Sequence, residues 1–204
     1  MTSLEQLARQ FERFPGIGPR QARRFVYHLL SEDPAALQSL AASIADIQSR
    51  ITECVHCFQF FAQDGKSRLC DICADGTRDH TLLTVVERDA DISPIERSGT
   101  YDGYYFVLGG TVPLLNGEET TKIRGGALKA VVDMRLKEGL KEVILAFSVN
   151  PDGENTARYV SNLLKDYTAE NQLSISTLGR GLSTGSELEY ADPETIKNAL
   201  RNRH

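Results

Sequence analysis

The chain has 204 residues, with 41% hydrophobic and 25% charged residues and a formal net charge of -5. That length suits one ordinary domain plus small additions, and the composition is that of a globular protein. No apolar run approaches the roughly 20 residues that a membrane span needs, and the negative total argues against a protein that coats nucleic acid indiscriminately.

The charge is unevenly spread. Residues 1–31 carry Arg9, Arg13, Arg20, Arg23 and Arg24 against Glu5 and Glu12, a local +3, which leaves -8 for the rest. Ser3 with Gln6 forms a capping box, and Leu4, Leu7, Ala8, Phe11 and Phe14 follow at helical spacing. Pro15 ends this helix near Phe14. Pro15-Gly16-Ile17-Gly18-Pro19 is a tight turn, and a second helix runs from Arg20 to Leu30 with Pro19 at its first position. Two glycines one residue apart between helices, followed by arginines, form a helix-hairpin-helix signature. Glycines let a phosphate approach the backbone, the second helix offers its first N–H groups, and Arg20, Arg23 and Arg24 add charge. Such a clamp reads phosphates with little sequence preference. The plainer reading is an αα-turn with solvated arginines.

Asp33-Pro34 starts a third helix whose stripe of Leu37, Leu40, Ile44, Ile47 and Ile51 suits a core, or a subunit contact. Then come the only four cysteines, as two CxxC knuckles: Cys54-Val-His-Cys57, twelve residues, and Cys70-Asp-Ile-Cys73. The spacing is that of a tetrahedral zinc site, and four thiolates leave no open position, so the metal is structural, one zinc per chain. No apolar signal segment stands at the start, which favours a reducing, cytoplasmic setting over disulfides. His56, inside the first knuckle, is a bystander.

Leu82–Val86, Tyr104–Leu108 and Val143–Phe147 read as buried strands of a parallel sheet, with a further strand at Leu173–Thr177. Helices at about 92–98, 122–138 and 154–170 alternate with them, the pattern of a doubly wound α/β unit. Gly109-Gly110 and Gly125-Gly126 are turn or packing glycines. Gly179–Gly185 is a loop without the lysine of a P-loop. An acidic strand follows it, and Asp192-Pro193 caps a last short helix.

Glu87 follows the first α/β strand, with Asp89 and Asp91 behind it; Asn150-Pro151-Asp152-Gly153-Glu154 follows a later one. Strand C-termini are where open sheets place ligands. The arrangement resembles a Toprim domain, which pairs a glutamate with an Asp-x-Asp to hold magnesium. Here the first aspartate of that pair is replaced by Asn150, or by Ser148 in another register, which weakens a hard-cation site.

In order, these pieces resemble the bacterial recombination-mediator family RecR over essentially the whole chain. The resemblance rests on the hairpin with Arg20 and Arg24, the four cysteines, Val86-Glu87, Ala90-Asp91-Ile92 and Tyr105-Phe106-Val107-Leu108-Gly109-Gly110. It extends through Pro113-Leu114, Gly117, Asp152-Gly153-Glu154, Thr156-Ala157 and Arg180-Gly181-Leu182 to Glu187-Leu188-Glu189-Tyr190-Ala191-Asp192. The family usually has lysine at Arg20, a Thr-Asn-Pro-Thr run near Phe147–Pro151, and Pro-x-Gly-Gly at Ser183–Ser186.

The resemblance implies a multi-part α/β protein: a helix-hairpin-helix domain (1–51), a small four-cysteine zinc finger (52–78), a Toprim domain of Rossmann-like parallel α/β type (79–178) and a C-terminal strand-loop-helix segment (179–204). It implies a DNA-binding recombination mediator in DNA repair, not an enzyme. Such proteins form tetrameric rings that can encircle DNA and act with RecO and RecF to load recombinase at single-stranded gaps. Arg20, Arg23 and Arg24 would face DNA. Glu87, Asp91, Asp152 and Glu154 would form an acidic edge for partner proteins. Two alternatives stand beside it: a magnesium-dependent nuclease or topoisomerase-like phosphoryl transferase using Glu87, Asp152 and Glu154, and a zinc-dependent adaptor without DNA contact.

Overall fold

The fold is described from a computed structural model that covers residues 2–63, 65, 67–114, 123–170, 172–179, 182, 185, 187–191 and 193–201. The chain divides into two compact units, Met1–Ile51 and Thr52–His204. None of the described helices is long and apolar enough to cross a membrane.

The first unit holds three helices: α1 (Ser3–Phe11), α2 (Pro19–Ser31) and α3 (Pro34–Arg50). The capping box at the start of α1 belongs to Thr2 and Glu5 rather than to Ser3 and Gln6. The Thr2 hydroxyl accepts from the Glu5 amide at 3.3 Å, and the Glu5 carboxylate accepts from the Thr2 amide at 2.9 Å. Helix α1 also stops earlier than Phe14. The Arg13 and Phe14 amides bond three residues back, to Gln10 and Phe11, which tightens the last turn into the hairpin. Ala8, Ala22 and Val26 form a small core with Leu7, Phe11 and Ile17 around it. Helix α3 buries none of its residues. Its expected core stripe is instead open, with Leu40, Ile44 and Ile47 exposed to 47%, 63% and 57%.

The second unit opens with a two-stranded ribbon, β1 (Ile51–Glu53) and β2 (Phe60–Ala62), and a single turn of helix, α4 (Asp71–Ala74). A parallel sheet follows: β3 (Asp79–Val86), β4 (Gly103–Val107), β5 (Glu142–Ala146) and β6 (Ser174–Thr177) in the order β4-β3-β5-β6. Val85 lies between Phe106 and Leu145 in register. The continuous apolar runs are explained by cover on both faces. Leu83, Val85, Phe106 and Leu145 pack with Leu128, Val132, Val160 and Leu164. Val86, Tyr105 and Val107 pack with Ile92 on the other side.

Helices α5 (Ile92–Ser98) and α6 (Gly125–Lys137) make the first crossovers. The helix expected at 154–170 starts earlier, at Pro151, because the Asn150 side chain accepts from the Gly153 amide at 2.7 Å and caps it. It also divides in two, α7 (Pro151–Leu163) and α8 (Lys165–Glu170). At the break, the fully buried Leu164 takes the Tyr167 and Thr168 amides on its carbonyl. The expected acidic strand is a 3₁₀ turn, Leu188–Tyr190, before α9 (Pro193–Arg201). The C-terminal part thus has a strand, β6, and a helix, α9, with no described strand beyond residue 178. Residues 115–122, Arg180, Gly181, Ser183, Thr184, Ser186 and Asp192 lie outside the described residues. So do the readings that fall on them: the start of a helix at 122, Gly117, most of the Ser183–Ser186 departure and the Asp192 cap.

Because β4 and β5 flank β3 on opposite sides, the order in which strands are added reverses between β3 and β5 while all four stay parallel. The crevice at the carboxyl ends of these two strands is where such sheets take ligands.

Candidate nucleic-acid interface and metal centre

The hairpin turn is built by Gly16 at φ +76°, a left-handed conformation that costs an L residue about 1–2 kcal/mol. Gly18 caps α2 without a side-chain hydrogen bond, and Pro19 holds the first helical position. The open first turn of α2 contains no acidic residue. Arg20, Arg23 and Arg24 are all exposed, while Ala22 and Val26 turn inward. Cations at the positive end of a helix dipole are locally unfavourable by about 0.3–1 kcal/mol. An exposed arginine set at an uncapped N-terminus is therefore poorly explained by helix stability and well suited to an anion.

The metal centre comes from β1, the turn after it and α4. Cys54, Cys57 and Cys70 are buried and Cys73 partly so. Their sulfurs all lie within 4.8 Å of one another, with Cys57 and Cys70 at 3.5 Å. A disulfide would need about 2.05 Å. Four ligands at about 2.3 Å around one ion stand about 3.8 Å apart, which the cluster matches. The other three sulfurs hold the Cys54 thiol far below its ordinary range by hydrogen bonding, and its bond to Cys54 pushes Cys57 far up. So crowded a set cannot ionise fully without a cation, and a divalent ion resolves the conflict. The four cysteines can thus hold a metal ion. His56 stands outside this group, which is the one set of three or more such ligands among the described residues.

Both knuckles are fastened to the sheet, the second by Cys73 and Ile72 packed against its two apolar clusters. The Cys57 carbonyl accepts from the Val107 amide at 2.8 Å. Phe58, at φ +62°, packs its ring edge-on to Phe106 and lies beneath the Arg124 guanidinium. Arg124 also pairs with Glu53. The Phe60 amide donates to Asp89 at 2.6 Å.

The four expected edge carboxylates have individual surroundings. Glu87, only 7% exposed, directly follows β3 and pairs with Arg88 at 2.9 Å. Ser148 donates to it at 3.4 Å. Ser148, then, faces Glu87 where a Toprim metal site expects an aspartate, while Asn150 serves as a helix cap. Asp91 accepts from the Arg88 amide at 2.8 Å. Asp152 accepts from the Leu114 amide at 3.0 Å, and with Asn155 and Thr156 it clamps residues 112–114 after β4. Glu154 is exposed in the first turn of α7, where the dipole favours an acid. Glu87, Asp152 and Glu154 share the carboxyl-end side of the sheet without converging on one point. Sequence reasoning missed Arg88 and Arg124, which no local spacing marks.

Three family models match the chain: "RecR, helix-hairpin-helix" over residues 4–47, "Toprim domain" over 81–178 and "RecR, C-terminal" over 181–204. Curated relatives named "Recombination protein RecR" match along nearly the full length. That of Prochlorococcus marinus (strain MIT 9303) is 39% identical across 95% of this chain and 96% of its own. That of Legionella pneumophila (strain Corby) is 37% identical across 100% and 98%. That of Chloroflexus aggregans is 39% identical across 97% and 91%.

Proposed function

The chain belongs to the RecR family of recombination proteins, and on that basis we propose that it is a DNA-binding recombination mediator in recombinational repair. It acts as a scaffold, not an enzyme, in the cytoplasm. The observation that carries this reading is the exposed set of Arg20, Arg23 and Arg24 at the uncapped start of α2. It suits phosphate contacts with little sequence preference.

One such hairpin offers two or three contacts and binds weakly. The exposed face of α3 supports self-association, which would multiply these contacts through effective concentration. The assembly is a tetrameric ring able to encircle DNA. It works with RecO and RecF to load recombinase at single-stranded gaps, and the acidic Toprim edge of Glu87, Asp91, Asp152 and Glu154 meets these partners. The ion at Cys54, Cys57, Cys70 and Cys73 is zinc, one per chain. It staples the knuckles to the sheet and takes no part in chemistry.

A magnesium-dependent phosphoryl transferase is less well supported. Glu87 is already paired with Arg88, and Ser148 and Asn150 supply no carboxylate beside it.

The test is DNA binding by fluorescence anisotropy, wild type beside Arg20→Ala/Arg24→Ala, with magnesium present and the DNA checked for cleavage. The double variant should lose most of its affinity, and DNA should stay intact. Equal binding by both proteins, or cleavage that Glu87→Ala abolishes, would contradict the reading.

A further inference from the structure

Arg20, Arg23, Arg24 and Tyr27 stand at i, i+3, i+4 and i+7 along α2, so they share one face. Tyr27 is 64% exposed on that face, about 10 Å along the helix axis from Arg20. A groove of about 360 Å³ lies beside it, between α1 and α2. Ala8 and Val26 form its buried floor, and Leu4, Arg23 and Tyr27 contribute to its walls. The one carboxylate on the groove, Glu5, is engaged by the Thr2 amide. An apolar floor with a carboxylate at the rim disfavours a phosphate and suits an uncharged aromatic ring with exocyclic N–H groups. The neighbouring arginines suit the backbone that such a ring hangs from.

We propose that Tyr27 and this groove receive an unstacked base of a single-stranded nucleic acid whose phosphates lie along Arg20, Arg23 and Arg24. The inference rests on the DNA-binding reading above and deepens it, because it assigns a preference for single strands to one residue. Stacking is sequence-tolerant, since every base has a π-face. In a duplex the bases are already stacked and paired, so the ring gains little there.

The experiment compares wild type, Tyr27→Ala, Tyr27→Phe and Arg20→Ala/Arg24→Ala on a single-stranded oligonucleotide and its duplex, across a salt series. A 2-aminopurine base reports stacking by its fluorescence, and sedimentation reports assembly. Tyr27→Ala should weaken single-strand binding about tenfold, with duplex binding nearly unchanged. Its salt dependence should stay that of the wild type, because no phosphate contact is lost. Tyr27→Phe should retain affinity, and under conditions where each protein is bound the 2-aminopurine quench should persist in Tyr27→Phe and vanish in Tyr27→Ala. Wild-type single-strand affinity in Tyr27→Ala, alongside a defect in the arginine variant, would overturn the base site and leave the DNA-binding reading standing. A Tyr27→Ala defect that tracks a smaller assembly would overturn it in favour of a subunit contact. Wild-type behaviour in the arginine variant as well would overturn both readings.

Discussion

The two units solve opposite problems. The sheet in the second unit is covered on both faces, and its central residues, Leu83, Val85, Phe106 and Val143, are fully buried. Among its described residues the helical unit buries only Ala8, Ala22 and Val26, and it leaves a 17-residue helix without a buried side chain. A unit that completes its own core is a platform. One that exposes apolar stripes and uncompensated cations is shaped for other molecules.

The contrast can be broken most forcefully at the proposed zinc. Structural zinc contributes about 10 kcal/mol or more, comparable to the whole stability of a domain. Chelation, or Cys57→Ser, should collapse the knuckles and expose the Val107 amide to hydrogen exchange, while exchange in α1 and α2 stays unchanged. Unaltered Val107 protection would sink the idea of a staple.

Next in size is a matched pair. Leu145→Ala in the sheet should cost about 2–5 kcal/mol in urea unfolding. Ile44→Ala in α3 should cost a monomer under about 0.5 kcal/mol yet weaken self-association measured by light scattering. Equal stability losses would mean that α3 is covered after all.

Glycine substitutions sharpen the comparison further. A Cβ on Gly153 would overlap the Ser148 carbonyl oxygen, so Gly153→Ala should cost about 1–3 kcal/mol and loosen the bonds from α7 to Val112 and Leu114. Gly16→Ala, with open space around it but positive φ, should cost about 1–2 kcal/mol from backbone strain alone. Thermal melts distinguish the two.

The smallest effect is on pH dependence. The Arg78 guanidinium, bonded to Glu96 at 2.6 Å, holds that carboxyl below its usual range, and the Tyr105 hydroxyl adds a bond of 2.6 Å. A depressed carboxyl stabilises the fold at neutral pH and loses that contribution as pH falls from its unfolded value through its folded one. The pair is partly exposed, so the effect is under about 1 kcal/mol. Glu96→Gln should flatten the acid limb of a stability-against-pH curve, and an unchanged limb would contradict this.

The parts of this architecture that were legible in the sequence are those fixed by local spacing. The knuckles place four sulfurs together because each CxxC brings its own pair. The strands read as apolar runs because both faces are buried. The α1 cap was misplaced by one residue because Thr2-x-x-Glu5 and Ser3-x-x-Gln6 are both sound capping boxes. The break at Leu164 was hidden because a buried leucine reads as ordinary helix periodicity. The carboxylates were least legible. Asp89 accepts the Phe60 amide and Asp152 the Leu114 amide, contacts between residues 29 and 38 positions apart that no local pattern encodes.

The central claim is that the helical unit grips phosphates through α2. The most direct measurement is the slope of log affinity against log salt on single-stranded DNA, for wild type and for Arg20→Ala/Arg24→Ala. Each phosphate contact contributes about 0.7 to that slope, so the double variant should lose about 1.4 for every subunit engaged. An identical slope in both proteins would contradict the account and place the DNA contacts, if any, elsewhere on the chain.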